Sequence, residues 1–191
     1  MFLNEIVRYL LSRGRKYGLK AIAKFQKLGI ISQLKLLNSW LSTRSNPRLL
    51  IVLDACRFDY FISEAASLIA QGRLTEVWSP ASCTADWLKT CFSGFYENVR
   101  VVSGTPFLNS KGVTVLGYRA TDHFRKRNII DVWDWGWDED LKTVPPSAVY
   151  EAFKERDDGK TKTIIWFMQP HGPWIGKTKL LVSEKPRGNT R

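Results

Sequence analysis

The chain has 191 residues, 44% of them hydrophobic and 25% charged, with 29 Lys and Arg against 18 Asp and Glu for a formal net charge of +11. That length bounds it to one domain plus an appendage, and that apolar share is enough to bury a core, which excludes disordered and collagenous chains. The three cysteines, Cys56, Cys83 and Cys91, are an odd set without C-x-x-C spacing, which argues against a disulfide framework or a structural zinc cage.

Residues 1–48 carry ten Lys or Arg against the single acid Glu5, so nine of the eleven net charges fall there. Within this stretch Ile6, Leu10, Leu19, Ile22, Phe25, Leu28, Leu34, Leu37 and Leu41 recur near helical spacing, with Gly14, Gly18 and Gly29 as breaks. The pattern predicts a basic amphipathic helical segment over 1–47. Such a segment can lie on an anionic membrane surface or pack on the domain with its charged face in water. Nucleic-acid binding is disfavoured, because no recognition motif accompanies the charge. Arg8, Arg13, Lys20, Lys24, Lys27 and Lys35 interrupt every long apolar run, and Ile6 to Leu11 is too short for a signal peptide. A cytoplasmic location, peripheral to a membrane if the basic segment lies on one, is the expectation.

Beyond the turn residues Ser42 to Pro47, strands alternate with helices over 48–191. Leu49 to Leu53 reads as a strand buried on both faces of a parallel sheet, ending at Asp54. A helix over Tyr60–Ala70 with Gly72 to end it, a short strand at Leu74–Trp78 and a helix over Ala85–Phe92 follow. Arg100–Ser103 and Val113–Gly117 read as strands, whereas Phe124–Trp137 is aromatic, acid-punctuated and without a clear period. Ser147 is placed to cap a helix through Arg156, and Thr163–Met168 is a second strong strand running into Gln169-Pro170-His171-Gly172-Pro173. The alternation predicts an α/β fold, a largely parallel sheet sandwiched by helices.

In open parallel sheets, ligands bind beyond the carboxyl ends of the strands, where both Asp54 and His171 fall. A carboxylate and an imidazole there suit a divalent metal, or they are a turn former and a loop histidine. Between them Ser82-Cys83-Thr84 opens a helix. A nucleophile there gains from the positive end of the helix dipole, although Ser and Thr are also the preferred N-caps. The aromatic segment Val132 to Asp138 either lines a pocket or packs on the core.

Taken together, Leu53-Asp54-Ala55-Cys56-Arg57-Phe58-Asp59, Ser82-Cys83-Thr84-Ala85-Asp86-Trp87-Leu88 and Phe167-Met168-Gln169-Pro170-His171-Gly172-Pro173-Trp174 resemble the alkaline phosphatase superfamily, in particular its sulfatase-like branch. The resemblance spans about Arg48 to Trp174, and its conjunction of three pieces is more specific than any one of them. It implies a divalent metal, zinc, manganese or calcium, that activates a covalent nucleophile against phosphorus or sulfur. Asp54 would be a metal ligand, Thr84 the nucleophile with Cys83 and Ser82 as alternatives, and His171 a contact to the transferred group or a second metal. Ala85 and Asp86 replace the Pro and Arg of the sulfatase Cys-Thr-Pro-Ser-Arg signature, which disfavours formylglycine at Cys83. Arg57 is placed to bind an anion or to lie on the surface.

The resemblance also implies an Asp-His or Asp-x-x-x-His-Gly pair downstream, which does not occur before Arg191. Residues 48–191 therefore read as a partial, C-terminally truncated sulfatase-like domain. The expected function is a metal-dependent hydrolase or transferase of phosphate or sulfate esters. The alternative is a catalytically inactive remnant that binds a membrane or a partner.

Overall fold

Short runs of aliphatic and β-branched residues pair as strands, and four of them make the sheet. The structure, a computed structural model, describes residues 32–43 and 48–175. Among these, β1 (Leu49–Leu53), β2 (Val99–Ser103), β3 (Ile129–Asp131) and β4 (Lys162–Phe167) form one all-parallel sheet in the order β1-β4-β2-β3. The helices are α1 (Gln33–Ser42), α2 (Phe58–Glu64), α3 (Ala66–Ile69), α4 (Thr84–Cys91), α5 (Val132–Trp135) and α6 (Pro146–Arg156). The fold class is α/β.

Alternation along the strands divides the core in two. On one face, Leu88 and Cys91 of α4 pack with Val101 and Ile164 and with Leu108, Tyr118 and Phe124 from the long β2–β3 connection. Edge-to-face rings stitch this cluster: Phe92 meets Phe124 at 5.0 Å and Trp87 meets Trp166 at 5.6 Å. On the other face, Val102 and Ile165 pack against Val149, Ala152 and Phe153 of α6 and Val132 of α5.

Helix α1 is seated on the first of these clusters. Ser32 caps it, accepting from Lys35 N–H at 3.2 Å, and Leu37 and Trp40 are buried. Trp87 Nε1–H donates to Gln33 Oε1 at 2.7 Å, and Lys162 Nζ donates to the Trp40 and Thr43 carbonyls. Burying a Leu side chain is worth roughly 1.5–3 kcal/mol, so these contacts outweigh the weak propensity of an isolated ten-residue helix. Although α1 precedes the boundary read at residue 47, it shares the core of the α/β domain. The rest of the basic segment, residues 1–31, lies outside the described residues, as do the turn at 44–47 and the tail at 176–191.

Several elements differ from the sequence expectation. Strand β1 is an edge strand, not one buried on both faces: Ile51 is 55% exposed and Leu53 38%. An uninterrupted apolar run cannot distinguish an edge from a centre. Tyr60–Ala70 breaks into α2 and α3 at Ala65. Leu74–Trp78 and Val113–Gly117 are not strands; each contributes only an isolated bridge, Ser32 with Trp78 and Val115 with Tyr118. Ser147 lies inside α6, whose N-cap is Pro145 and whose first residue is Pro146, since proline's fixed φ suits the first turn. The aperiodic Phe124–Trp137 resolves into one 3-10 turn, Lys126–Asn128, followed by β3 and α5.

At the amino ends of the strands, a turn after α6 gathers charge. Arg48 holds Asp157 through two bonds of 2.7 and 2.9 Å, and the Asp158 carboxylate accepts from Thr161 Oγ1 at 2.6 Å, from two backbone N–H groups and from Arg100. The Thr161 hydroxyl and backbone bonds hold Asp158 below the ordinary carboxylate range, and Arg48 does the same for Asp157. A depressed folded-state pKa adds stability that is present above the unfolded value, about 4, and is lost as pH falls through the folded value. Asp158→Asn is therefore expected to flatten the fall of urea midpoint below about pH 4. A second test of packing is Gly104, where an added Cβ would sit 2.9 Å from Trp166 O and 3.1 Å from Val149 Cγ2. Gly104→Ala should cost about 1–3 kcal/mol in denaturant unfolding.

Candidate functional site

Alternation along β1 decides where Asp54 falls. Leu50 and Val52 face the α4 side of the sheet, and Asp54, two residues further, continues that face. Its backbone prolongs the ladder by one bond, Asp54 N–H to Phe167 O at 3.2 Å. The chain then reverses at once: Cys56 N–H bonds to Leu53 O, with Ala55 at φ 60°, a left-handed conformation that a non-glycine residue seldom adopts. The half-buried carboxylate thus stands at the carboxyl end of the sheet.

Helix α4 supplies the partner. Its buried Ala85, Leu88 and Cys91 recur at helical spacing and press that face onto the core, which leaves Thr84 at its first position over the end of β1. The Thr84 hydroxyl donates to Asp54, 3.2 Å from Oδ1 and 3.4 Å from Oδ2. Trp166 Nε1–H approaches Asp54 Oδ2 at 3.4 Å from β4. Thr84 is not the N-cap. That place belongs to Cys83, whose side chain makes no capping bond and whose thiol lies 3.3 Å from Asp86 Oδ2. Asp86 also pairs with Lys89 at 3.3 Å. The first intrahelical bond is Trp87 N–H to Cys83 O, so the N–H groups of the first turn precede it and face the helix start.

The remaining expected residues stand differently. Ser82 and Cys83 are exposed. The Arg57 guanidinium is held by Asp59 at 2.6 Å and lies over the Tyr60 ring. His171 is exposed in the loop after β4, where its backbone N–H bonds to Met168 O. Its Nδ1 lies 2.7 Å from Gly172 O, and no hydrogen bond or ion pair joins it to Asp54 or Thr84. A carbonyl oxygen can only accept, so Nδ1 is the donor in this contact. Gln169, which bonds to Thr143 Oγ1 and Val144 O, ties this loop to the start of α6. The structure therefore joins Asp54 to Thr84 and leaves His171 and Arg57 to contacts of their own. In the aromatic segment, Val132 is buried and Trp133 packs on the second core cluster, whereas Trp135 and Trp137 are exposed.

Trp166 is the site residue that the sequence reading missed. The signal was available as parity, since residues 164 and 166 share the face that carries Leu50, Val52 and Asp54, and an indole N–H buried there needs an acceptor.

A hard divalent ion takes oxygen donors of the kind that Asp54 and Thr84 offer, and the two are close enough to share one ion. Catalytic sites commonly use three protein ligands, and no group of three His, Cys, Asp or Glu suited to a metal occurs among the described residues. The pair fits as part of a ligand set and does not complete one. Nor is any helix among the described residues long and apolar enough to cross a membrane. Compared with known proteins, the chain matches no family model, no curated protein and no solved structure.

The three thiols provide a check on how α4 is seated. Burial pushes the Cys91 thiol up to about 12 and also raises that of Cys56, which is less enclosed. Under native conditions iodoacetamide should label Cys83, label Cys56 slowly, and reach Cys91 only after denaturation. Mass spectrometry of the alkylated peptides reads the order, and rapid native labelling of Cys91 would contradict the packing of α4.

Proposed function

We propose that this chain carries part of an alkaline phosphatase-like, sulfatase-branch active site that transfers or hydrolyses phosphate or sulfate esters through a covalent Thr84 intermediate. The observation that carries the reading is the Thr84–Asp54 hydrogen bond, formed across 30 residues at the carboxyl end of a parallel sheet and at the start of a helix. A hydroxyl whose only duty was capping would bond within its own helix.

In this reading Thr84 Oγ gives its proton to Asp54, to which it already donates, as it attacks the phosphorus or sulfur; the ester oxygen departs with the bonding pair and takes a proton from solvent, and water or an acceptor hydroxyl then displaces Thr84 Oγ, which takes its proton back. Asp54 accepts the Thr84 hydroxyl hydrogen bond and so fixes the rotamer of Thr84 at the carboxyl end of the sheet. The first-turn N–H groups of α4 can donate to the equatorial oxygens of the transferred group. His171, in the loop after β4, would contact the transferred group from the same end of the sheet. Asp54 and Thr84 are the residues that would hold the zinc, manganese or calcium ion, joined by ligands from outside the described residues. When bound, such an ion lowers the pKa of the hydroxyl and takes up charge that grows on the transferred group.

The absence of a three-ligand group among the described residues favours a second reading, an inactive domain that keeps the fold and binds a partner. Nitrophenyl phosphate and nitrophenyl sulfate assays with each of the three metals, together with equilibrium dialysis, separate the two. Thr84→Ala is expected to lower turnover by about 10³-fold or more while metal uptake persists, and Asp54→Asn to lose both. Cys83→Ser and Ser82→Ala should leave turnover near that of the parent chain. Turnover that survives Thr84→Ala would remove Thr84 as nucleophile, and a wild-type chain inert with every metal would favour the binding domain.

A further inference from the structure

The side chains that donate to Asp54 come from two elements, Thr84 from α4 and Trp166 from β4, and Trp87 is tied to both. On α4 its backbone N–H closes the first turn, bonding to Cys83 O at 3.0 Å three residues after Thr84 opens the helix. On β4 its ring meets the Trp166 ring edge-to-face, with centroids 5.6 Å apart and planes at 75°. A second edge contact, to Phe92 at 5.9 Å, joins the same ring to the aromatic cluster.

A half-buried indole N–H needs an acceptor, and α1 supplies it: Trp87 Nε1–H donates to Gln33 Oε1 at 2.7 Å, at the short end of the range for such bonds. Gln33 is itself fixed, because its backbone N–H donates to Trp78 O at 3.0 Å and Ser32, the residue before it, caps the helix. At the other end of α1, Lys162 Nζ donates to the Trp40 and Thr43 carbonyls. The Trp87 ring is therefore held at its nitrogen by α1 and at its edge by the sheet.

The Trp166 bond has little slack. Its nitrogen lies 3.4 Å from Asp54 Oδ2, at the long end of the hydrogen-bond range, so a shift of the ring by a few tenths of an ångström would end the bond. At 2% exposure that ring is close-packed and moves only where a neighbour yields. With the donor gone, the Asp54 carboxylate is free to turn about its broad χ2 well and away from the Thr84 hydroxyl.

We propose that Trp87 is a positioning residue for the Asp54–Thr84 pair: its ring, anchored on Gln33 of α1, holds the Trp166 indole against Asp54, so that the seat of α1 and the geometry of the pair are set together. The consequence for turnover rests on the catalytic reading above. The chain of contacts does not, and the experiment separates the two.

The readout is the ¹⁵N shift of the Trp166 indole nitrogen in the full-length chain, on which ring currents weigh little, assigned by its loss in Trp166→Phe. Asp54→Ala removes the acceptor and defines the unbonded position. Trp87→Leu keeps apolar bulk without the ring edge, and it is expected to move the resonance most of the way to that position. Gln33→Ala should move it part of the way, and Trp87→Phe, which keeps a ring edge without the anchor, should match Gln33→Ala. With nitrophenyl phosphate as substrate, Trp87→Leu is expected to lower kcat about tenfold or more with KM little changed. A Trp87 that only packs would lower the urea midpoint in Trp87→Leu and leave the resonance in place, which would overturn the proposal. So would a resonance that Asp54→Ala fails to move, or a kcat unchanged in Trp87→Leu. Should Trp87→Leu not fold, Gln33→Ala decides, and an unmoved resonance there overturns the proposal equally. A wild-type chain inert with every ester removes the catalytic reading and leaves the resonance to decide this one.

Discussion

Parallel pairing of β1 on β4, with Leu53 level with Phe167, sets which side of the sheet Asp54 can address. In a strand successive side chains alternate faces, so a slip of one residue would turn Asp54 toward α6 and away from α4. The register is held by burial. Leu50 and Val52 pack on the α4-side cluster, and Ile164 and Trp166 of β4 are buried against it. A hydrogen bond to a charged group contributes about 1.5–3 kcal/mol, comparable to the burial of one large side chain, whereas α4 alone buries three residues. The core therefore positions Thr84 and Asp54, and the bond between them follows from that positioning.

The same strand presents opposite situations on its two faces. On the α4 side it ends in a carboxylate with two donors. On the other, Ile51 and Leu53 stand exposed, because α6 and α5 cover β4 and β2 and not the edge. Edge strands that carry no charge, proline or bulge are open to pairing and association, and Leu49 to Leu53 has none of these guards. With α2 and α3 also uncovered, the apolar surface concentrates after β1, whereas β2 and β4, at the sheet's centre, are closed on both sides.

Much of this architecture could be read from residues, and the failures have physical causes. Strands β1, β2 and β4 and helices α4 and α6 announce themselves by apolar runs or helical spacing, and Asp54 and Thr84 stand at their ends, where sequence position alone suggests chemistry. Edge and centre could not be separated, because Leu49 to Leu53 is equally apolar in either place. Val113–Gly117 has strand-like composition, yet Gly117 at φ 79° and Leu116 at φ 45° turn it into a tight bend closed by Val115 and Tyr118. Ser147 lost the N-cap to the two prolines before it. Whether His171 faces Asp54 depends on a loop conformation set by Gln169 and its bonds to Thr143 and Val144, more than twenty residues away in the chain.

Counting lone pairs shows what this arrangement leaves available. An ionised carboxylate has about four acceptor directions. Thr84 and Trp166 occupy part of them on Asp54, both from the protein side, and no other side chain donates to it among the described residues. On His171 the Gly172 carbonyl engages Nδ1. A purely structural carboxylate can be saturated, as Asp158 is by Thr161, Lys160 and Arg100 at the opposite end of the sheet. The contrast is between an Asp158 whose acceptor directions are filled at the amino ends of the strands and an Asp54 at their carboxyl ends that accepts from Thr84 and Trp166.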